Sequence, residues 1–378
     1  MKASILAVGT ELTTGQIINR NASAISAKLK PYGVQTLAHL TIPDKRLVIL
    51  ESLKYLEASA DLIFITGGLG PTSDDFTRDL VAEWAGLEMK FDETSWNYIV
   101  ERLTSRGYQV RESQRQQCYF PIGAKILINS EGTAHGFQFS VLRPTGQKTI
   151  FVLPGPPREI EAIWKDHLSN WLKENTRELT KSVTKAWDTL GVGESEVAHL
   201  VEAALTGRPD SENLEIGYRV HLPYVEVKLT FPENEGGTWQ NWITKVDEVL
   251  KKITITRDFT DVAEVVTKAV KNIDFTFYDY ASEGYLHSRL SPFLRGQKKW
   301  SFKQSFSSDI TADFFEQEDQ FLAIFPYEED KCVVVFSING HRILKNIEAP
   351  MKSPLMSERR KQYFAEMALV EVSKTFKL

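Results

Sequence analysis

Three glycines, two adjacent aspartates and two threonines fall within one short stretch, Gly67-Gly68-Leu69-Gly70-Pro71-Thr72-Ser73-Asp74-Asp75-Phe76-Thr77. It follows the apolar run Asp61-Leu62-Ile63-Phe64-Ile65-Thr66 and precedes the helical pattern Arg78-Asp79-Leu80-Val81-Ala82-Glu83-Trp84, so it reads as strand, glycine loop and helix start. Glycines let backbone N–H groups approach an anion closely, and a helix N-terminus adds partial positive charge, which together make a phosphate cradle. Two carboxylates beside a phosphate repel it by roughly a few kcal/mol in a partly desolvated cleft unless a divalent cation lies between them. The chemistry expected here is therefore a metal-bridged phosphate or diphosphate. A helix N-cap accounts for any one of Asp74, Asp75 or Thr77 taken alone, but it leaves the glycine cluster unexplained. The stretch has neither the Gly-Lys-Ser/Thr of a Walker loop nor the dinucleotide fingerprint.

Such a loop needs a scaffold that holds it at a ligand. Ser4 to Val8 predicts a buried first strand, and the helix after it carries Ile18, Ala22, Ile25 and Leu29 at spacings of four, three and four. A second strand, Gln35 to Thr41, leads to Pro43-Asp44 and a helix with Ile49, Leu53 and Leu56 on one face, and then to the strand before the glycine loop. This alternation predicts an α/β fold with a doubly wound, mostly parallel sheet whose ligands sit beyond the carboxyl ends of the strands. Gly9-Thr10-Glu11, Pro43-Asp44 and the Gly67 loop all fall at those ends. Further strands are predicted at Ala124 to Ile128, Gly136 to Leu142 and Lys148 to Leu153, and Pro154-Gly155-Pro156-Pro157-Arg158-Glu159 leads into a helix with Ile160, Ile163, Trp164 and Leu168 on its apolar face.

The chain has 378 residues, more than one ordinary core, so two or three domains are expected. A charged link, Lys173 to Lys181, separates the first domain from a small α+β pattern of strand, helix, strand, strand, helix running to about Ile255. Within it, Gly193-Glu194-Ser195-Glu196 opens a helix in the manner of a capping box. The remainder predicts an α/β domain with strands at Asp274 to Tyr278, Phe321 to Phe325 and Val333 to Ile338, and a terminal helix Glu358 to Phe376. A formal charge of −5 gives no electrostatic reason to expect nucleic acid as the main partner. Cys118 and Cys332 are too few and too far apart for a disulfide framework or a zinc knuckle, and both are read as reduced. No signal-peptide pattern and no run of about 18 apolar residues is present, so no membrane span is expected and a cytoplasmic location is.

Five sequence blocks carry a resemblance to the CinA family of bacterial proteins, whose first domain is similar to the molybdopterin-binding domain of MoaB and MogA. They are Gly9-Thr10-Glu11-Leu12 with Gly15 and Asn21; Pro43-Asp44; the Gly67 to Thr77 loop; Asn129 with Gly132-Thr133-Ala134 and Gly136-Phe137; and Leu153-Pro154-Gly155-Pro156-Pro157-Arg158-Glu159. Leu190-Gly191-Val192-Gly193-Glu194-Ser195-Glu196 resembles the opening of that family's KH-like domain. The resemblance implies a MoaB/MogA-like domain over 1–170, a KH-like domain over 178–255 and an amidase-like domain over 256–378.

It also implies metal-dependent hydrolysis of ADP-ribose or a similar nucleotide diphosphate at its pyrophosphate, giving AMP and ribose 5-phosphate, with Mg, Mn or Co as the divalent ion. In that reading Gly67, Gly68 and Gly70 amides and the Thr72 and Thr77 hydroxyls hold the diphosphate, and Asp44, Asp74 and Asp75 hold the metal or orient the attacking water. Acids matching Asp44 and Asp75 are the functional pair of the related cofactor-binding domains. Gly9, Asn21, Gly132, Thr133, Pro154 and Gly155 complete the binding surface. Glu11 is either a third acid of the rim or a structural hydrogen-bonding group, and Arg158 would neutralise transition-state charge. A homodimer is the family default.

Two departures from the family pattern stand out. His135 replaces a proline in the block Gly132-Thr133-Ala134-His135-Gly136 and is expected to be a solvated loop residue, and Gln114 and Gln117 are the counterparts of an altered Asn-x-x-Gln pattern. In the last domain, Asp279-Tyr280-Ala281-Ser282-Glu283-Gly284 aligns with the amidase pattern Glu-Ser-Cys-Thr-Gly-Gly and puts tyrosine at the nucleophile position. Nicotinamide mononucleotide deamidase activity is therefore expected to be lost, leaving Ser282 with Lys303 as base as the one substitute pair. Two other functions compete: a protein that binds molybdopterin or a nucleotide without hydrolysis, and a nucleic-acid interaction protein linked to competence. Glu194 and Glu196 beside Gly191 and Gly193 argue against the latter, because a KH clamp sets its Gly-x-x-Gly loop among basic residues.

Overall fold

Strands buried on both faces of a parallel sheet are written as unbroken apolar runs, and the runs of the first unit of the chain become its central strands. The computed structural model describes residues 1–209, 213–271, 273–293, 300–304, 315, 319–350 and 352–376. They form two compact units, Met1–Ser182 and Val183–Leu378. The first contains β1 (Lys2–Val8), α1 (Thr10–Thr13), α2 (Arg20–Leu29), β2 (Gln35–Ile42), α3 (Arg46–Glu57), β3 (Leu62–Thr66), α4 (Thr77–Ala85), β4 (Met89–Phe91), α5 (Glu93–Thr104), β5 (Tyr119–Pro121), β6 (Lys125–Leu127), β7 (Gly136–Arg143), β8 (Gly146–Leu153), α6 (Pro157–Ile163) and α7 (Ser169–Asn175). Its main sheet has the order β2-β1-β3-β8-β7-β6. The pairs β1/β2, β1/β3 and β3/β8 are parallel, and β8/β7 and β7/β6 are antiparallel.

Successive side chains of these strands enter opposite cores. Ile63 and Ile65 of β3 pack with Ile49, Leu53 and Leu56 of α3 and Leu80 and Val81 of α4. Leu62 and Phe64 pack with Ala22, Ile25 and Leu29 of α2 and with Ile160, Ile163, Trp164, Leu168 and Leu172. The expected doubly wound, mostly parallel sheet is therefore present. The start of α2 differs from the expectation: Asn19 accepts a hydrogen bond from Ala22 N and caps α2 at Arg20, which leaves Ile18 outside the helix and 74% exposed.

The second unit begins with β9 (Ser182–Leu190), α8 (Glu194–Ala204), β10 (Glu215–His221), β11 (Tyr224–Pro232), α9 (Gly236–Leu250) and β12 (Thr254–Arg257), whose sheet order is β10-β11-β9-β12. Then come α10 (Val262–Ala269), β13 (Phe275–Asp279), α11 (Tyr285–Leu290), β14 (Trp300–Gln304), β15 (Phe321–Glu328), β16 (Lys331–Ile338), β17 (His341–Glu348) and α12 (Ser357–Phe376), in a sheet of order β14-β13-β15-β16-β17. The sequence pattern misses β14 and β17 because both are edge strands with mostly exposed, polar side chains, which removes the apolar signal. Both cysteines are free and buried. Among the described residues no helix is long and apolar enough to cross a membrane.

Phe64 is the residue on which one face of the first unit closes. Its ring stacks on Phe151 at 4.8 Å and lies 6.2 Å from Trp164, so the sheet and the α6 segment meet through it. Phe64→Ala is expected to cost about 3–5 kcal/mol, read as a lower urea midpoint of the first unfolding transition. A loss well under 1 kcal/mol would contradict this packing.

Candidate functional site

β1 lies between β2 and β3, so the direction of strand succession reverses across it. In open α/β sheets a crevice forms beyond the carboxyl ends of the strands at such a point. The loops after β1, β3 and β8 meet there. Gly67 N donates to Leu153 O at 3.1 Å, Asn21 Nδ2 donates to Gly155 O at 2.7 Å, and Thr10 N donates to Asp44 Oδ2 at 2.7 Å.

Close contacts inside the protein explain the glycines of the loop after β3. Gly67 has φ +97°, and a Cβ there would come within 2.1 Å of the Val8 carbonyl oxygen. Gly68 has φ +66°, with Thr77 Oγ1 2.0 Å from where its Cβ would stand. At Gly70 a Cβ would meet Asp75 Oδ2 at 2.4 Å. The Gly67 amide is used by the sheet, whereas the amides of Gly68, Leu69 and Gly70 have no protein partner among the described residues.

The loop is held from behind by its carbonyls. Leu69 O accepts from Arg78 Nη2 at 2.8 Å and from Gln117 Nε2 at 3.2 Å. Gln116 Nε2 donates to Gly70 O at 3.1 Å and to Thr72 O at 2.8 Å. In a trans peptide the N–H points opposite to the C=O, so the grip on Leu69 O turns the Gly70 N–H away from Arg78 and Gln117. Arg78 is 2% exposed, and burial lowers its pKa to about 10. Sequence reasoning missed Arg78 and Gln116. Of the two counterparts of the Asn-x-x-Gln pattern, Gln117 reaches the loop, whereas Gln114 accepts from Arg111 N at 2.7 Å.

The N-cap alternative for the acids does not hold. Phe76 occupies the N-cap of α4, with no side chain capping it. Asp75 Oδ2 accepts from Thr72 N at 3.0 Å and from Thr72 Oγ1, and Asp74 Oδ1 accepts from the same hydroxyl at 2.6 Å. That hydroxyl holds the Asp74 carboxyl below the usual carboxylate range. A hydroxyl has one hydrogen, so two carboxylates converge on a single donor and their repulsion is only partly relieved. Asp44 is engaged elsewhere: its Oδ2 accepts from Thr10 N and, at 3.0 Å, from Thr10 Oγ1. Glu11 folds back over Gly9, whose Cβ would stand 2.6 Å from Glu11 Oε1. Thr77 Oγ1 is buried without a hydrogen-bond partner among the described residues. In the first unit, no trio of His, Cys, Asp or Glu among the described residues brings donor atoms within 4.8 Å of one another, so Asp44, Asp74 and Asp75 do not form a preformed three-ligand set.

Asn129 organises the block beside Glu159. Its Nδ2 donates to Ala134 O at 2.9 Å and to Glu159 Oε2 at 2.7 Å, and its Oδ1 accepts from Gly132 N at 2.9 Å. Burial raises the Glu159 pKa, and a Cβ on Gly132 would lie 2.4 Å from the Glu159 carboxyl carbon. Thr133 lies in this same loop, Pro154 is buried at the end of β8, and Arg158 is 82% exposed with Glu131 3.5 Å away. His135 corrects the expectation of a solvated residue. It is 3% exposed, its Nδ1 accepts from Asn129 N at 3.0 Å, and its ring packs 4.7 Å from Tyr98. In the second unit Ser282 Oγ donates to Asp279 Oδ2 at 2.6 Å and accepts from Leu286 N, while Lys303 Nζ donates to Tyr278 OH at 3.2 Å. Ser282 thus anchors the start of α11 and is not paired with Lys303.

Comparison with known proteins identifies relatives of the chain. The family model described as "Probable molybdopterin binding domain" matches residues 4–174. A competence-damage inducible protein of Desulforamulus reducens is 34% identical over 301 residues, which is 77% of this chain and 70% of the relative. One from Caldanaerobacter subterraneus subsp. tengcongensis is 33% identical over 279 residues, 73% of this chain and 65% of the relative. A crystal structure of the protein CinA, of unknown function, from Thermoplasma acidophilum is 28% identical with a TM-score of 0.40, covering 45% of this chain and 96% of that one.

His135 gives the block a pH dependence. Burial lowers its pKa from 6.5 to about 4, so the unfolded chain binds the proton more tightly than the folded one. The stabilisation is fully present above the unfolded pKa and is lost as pH falls from 6.5 towards 4, by up to on the order of 3 kcal/mol. His135→Gln keeps an acceptor for Asn129 N and is expected to flatten that part of the stability profile, measured by urea unfolding between pH 7 and 4. Superimposable profiles for the two proteins would refute it.

Proposed function

We infer that this chain, which belongs to the CinA-like family of competence-damage inducible proteins and carries a MoaB/MogA-type molybdopterin-binding domain, uses that domain to hydrolyse the pyrophosphate of ADP-ribose or a similar nucleotide diphosphate. The observation that carries the reading is the juxtaposition of three unpartnered amides, Gly68, Leu69 and Gly70, with two carboxylates that share one hydroxyl. The amides would donate to phosphate oxygens, with the buried Arg78 cation beneath them deepening the positive potential. Asp74 and Asp75 place two like charges on one hydroxyl donor, a repulsion that a counter-ion would relieve, and two carboxylates are what a magnesium-type ion takes from protein when phosphate supplies the rest. A divalent ion (Mg, Mn or Co) held by that pair would screen the charge that develops on the diphosphate. Asp44, fixed to the loop after β1 through Thr10, would accept the proton of the attacking water. One P–O bond forms from that water and one bridging P–O bond breaks, releasing AMP and ribose 5-phosphate.

A second reading keeps the site and removes the reaction. The matched family model describes molybdopterin binding, and the same amides would hold the phosphate of a pterin cofactor or a nucleotide without turnover. Residues 256–378 add no amidase activity in either reading. Tyr280 stands where the amidase pattern has its serine, and burial raises the phenol's pKa further from neutrality.

AMP release from ADP-ribose with Mg, Mn or Co ions, for the intact protein and for Asp75→Ala, tests the proposal. Metal-dependent release that falls by about 100-fold or more in the variant is expected, the scale for losing a group that stabilises transition-state charge. Nucleotide binding without turnover under any of the three metals would leave only the second reading.

A further inference from the structure

The sheet of β9 to β12 has two unlike faces. Trp187, Val225, Val227 and Leu229 point to the side packed with Val197, Val201, Trp239 and Ile243 of α8 and α9. Strand periodicity then places Asp188 on β9, His221 on β10 and Glu226 on β11 on the other side. A cavity of about 560 Å³ opens over that side, lined also by Tyr224, Asp261, Arg289 and Glu366.

Three donor groups from three strands converge in it. His221 Nε2 lies 2.9 Å from Asp188 Oδ1, and one ligand atom from each of Asp188, His221 and Glu226 lies within 4.8 Å of the other two. Asp188 is oriented by Thr256, whose hydroxyl donates to its Oδ2 at 3.1 Å. Glu226 is 8% exposed, and its Oε2 is sealed from solvent with no hydrogen bond among the described residues. Its compensation is electrostatic: Lys228 Nζ stands 2.9 Å away and Arg219 Nε 3.9 Å away.

Charge decides the kind of ligand. Asp188, Glu226, Asp261 and Glu366 line the cavity against the guanidiniums of Arg219 and Arg289. Arg289 is consumed by its own partners, donating to Asp261 at 2.8 and 3.0 Å and to Glu366 at 2.6 and 2.9 Å. Glu226 is partly offset by Lys228 and Arg219, but the four carboxylates Asp188, Glu226, Asp261 and Glu366 still outnumber the cations Arg219, Lys228 and Arg289, and the imidazole of His221 is neutral when it ligates, so this side suits a cation better than an anion.

We propose that Asp188, His221 and Glu226 bind a zinc-type divalent cation. One imidazole and two carboxylates make the mixed nitrogen and oxygen set that such an ion takes from protein, with its fourth position left open. The open position faces the cavity, and Thr256 acts as the outer group that fixes a ligating carboxylate. Donors to one such ion sit about 3–4 Å apart, so a rotamer adjustment of Glu226 closes the set without moving a strand. The site is separate from the glycine loop and does not depend on the function proposed for it.

Calorimetric titration of the intact protein with Zn²⁺ tests this. A binding event is expected in the wild type and in Asp75→Ala, and it should weaken at least tenfold in His221→Ala and in Asp188→Asn. Glu226→Gln, which keeps size and shape, should weaken it as well, and far-UV circular dichroism identifies any variant that has unfolded. Absence of Zn²⁺ binding in the wild type would overturn the site, as would unchanged isotherms in folded His221, Asp188 and Glu226 variants.

Discussion

The loop after β3 exists because no side chain separates Gly67 from the Val8 carbonyl. With its amide bonded to Leu153 O and its Cα beside the end of β1, Gly67 ties three neighbouring strand ends together. Only a residue without Cβ, at positive φ, turns the chain there. Everything at the crevice follows from that turn. Gly68 continues it against Thr77, Leu69 drops into the apolar core, and the Leu69 carbonyl reaches the buried Arg78 guanidinium. Because the carbonyls are spent inward on Arg78, Gln116 and Gln117, the intervening N–H groups are left for something outside the protein.

Much of this first unit was legible in the sequence, because parallel strands buried on both faces announce themselves as apolar runs and the helices between them as spaced apolar faces. The crevice was legible for the same reason: strand ends fix where the loops must lie. The glycines were read as a close approach to an anion, whereas the close approaches seen at Gly67, Gly68 and Gly70 are to the protein's own backbone and side chains. Arg78 was not legible, since a buried guanidinium is identified only by the carbonyls it satisfies, and two of its acceptors lie on different segments of the chain. His135 misled for a related reason. A polar residue in a loop is read as solvated unless the distant amide it accepts from is known.

In the second unit the same limit applies to a whole face of a sheet. Alternating polar residues along β9, β10 and β11 are what a solvent-facing strand shows. Sequence periodicity separates the two faces but does not say what lies over the polar one. Here a cavity does, with Arg289 locked between Asp261 and Glu366 at its wall. Tyr224 adds to that wall by donating to Glu366 at 3.0 Å, so one strand residue and three helix-borne charges form a closed network. A network satisfied in this way fixes geometry, because Tyr224 and Glu366 would be left buried and unpaired if another member moved.

The two acidic clusters of the chain differ in a way that bears on how each meets a cation. At the glycine loop, Asp74 and Asp75 compete for one hydroxyl, and Asp44 is held apart by Thr10. Two carboxylates on a solvent-facing rim bind a hard ion weakly by themselves, so under the proposed function affinity there would come largely from the phosphate that accompanies it. At the sheet of the second unit an imidazole and a carboxylate are already within 2.9 Å, and the third group is buried beside them. The Asp188–His221 pair has given up most of its side-chain freedom in folding, so only Glu226 has still to adjust on binding. The first arrangement suits an ion that comes and goes with a substrate, and the second suits one that stays.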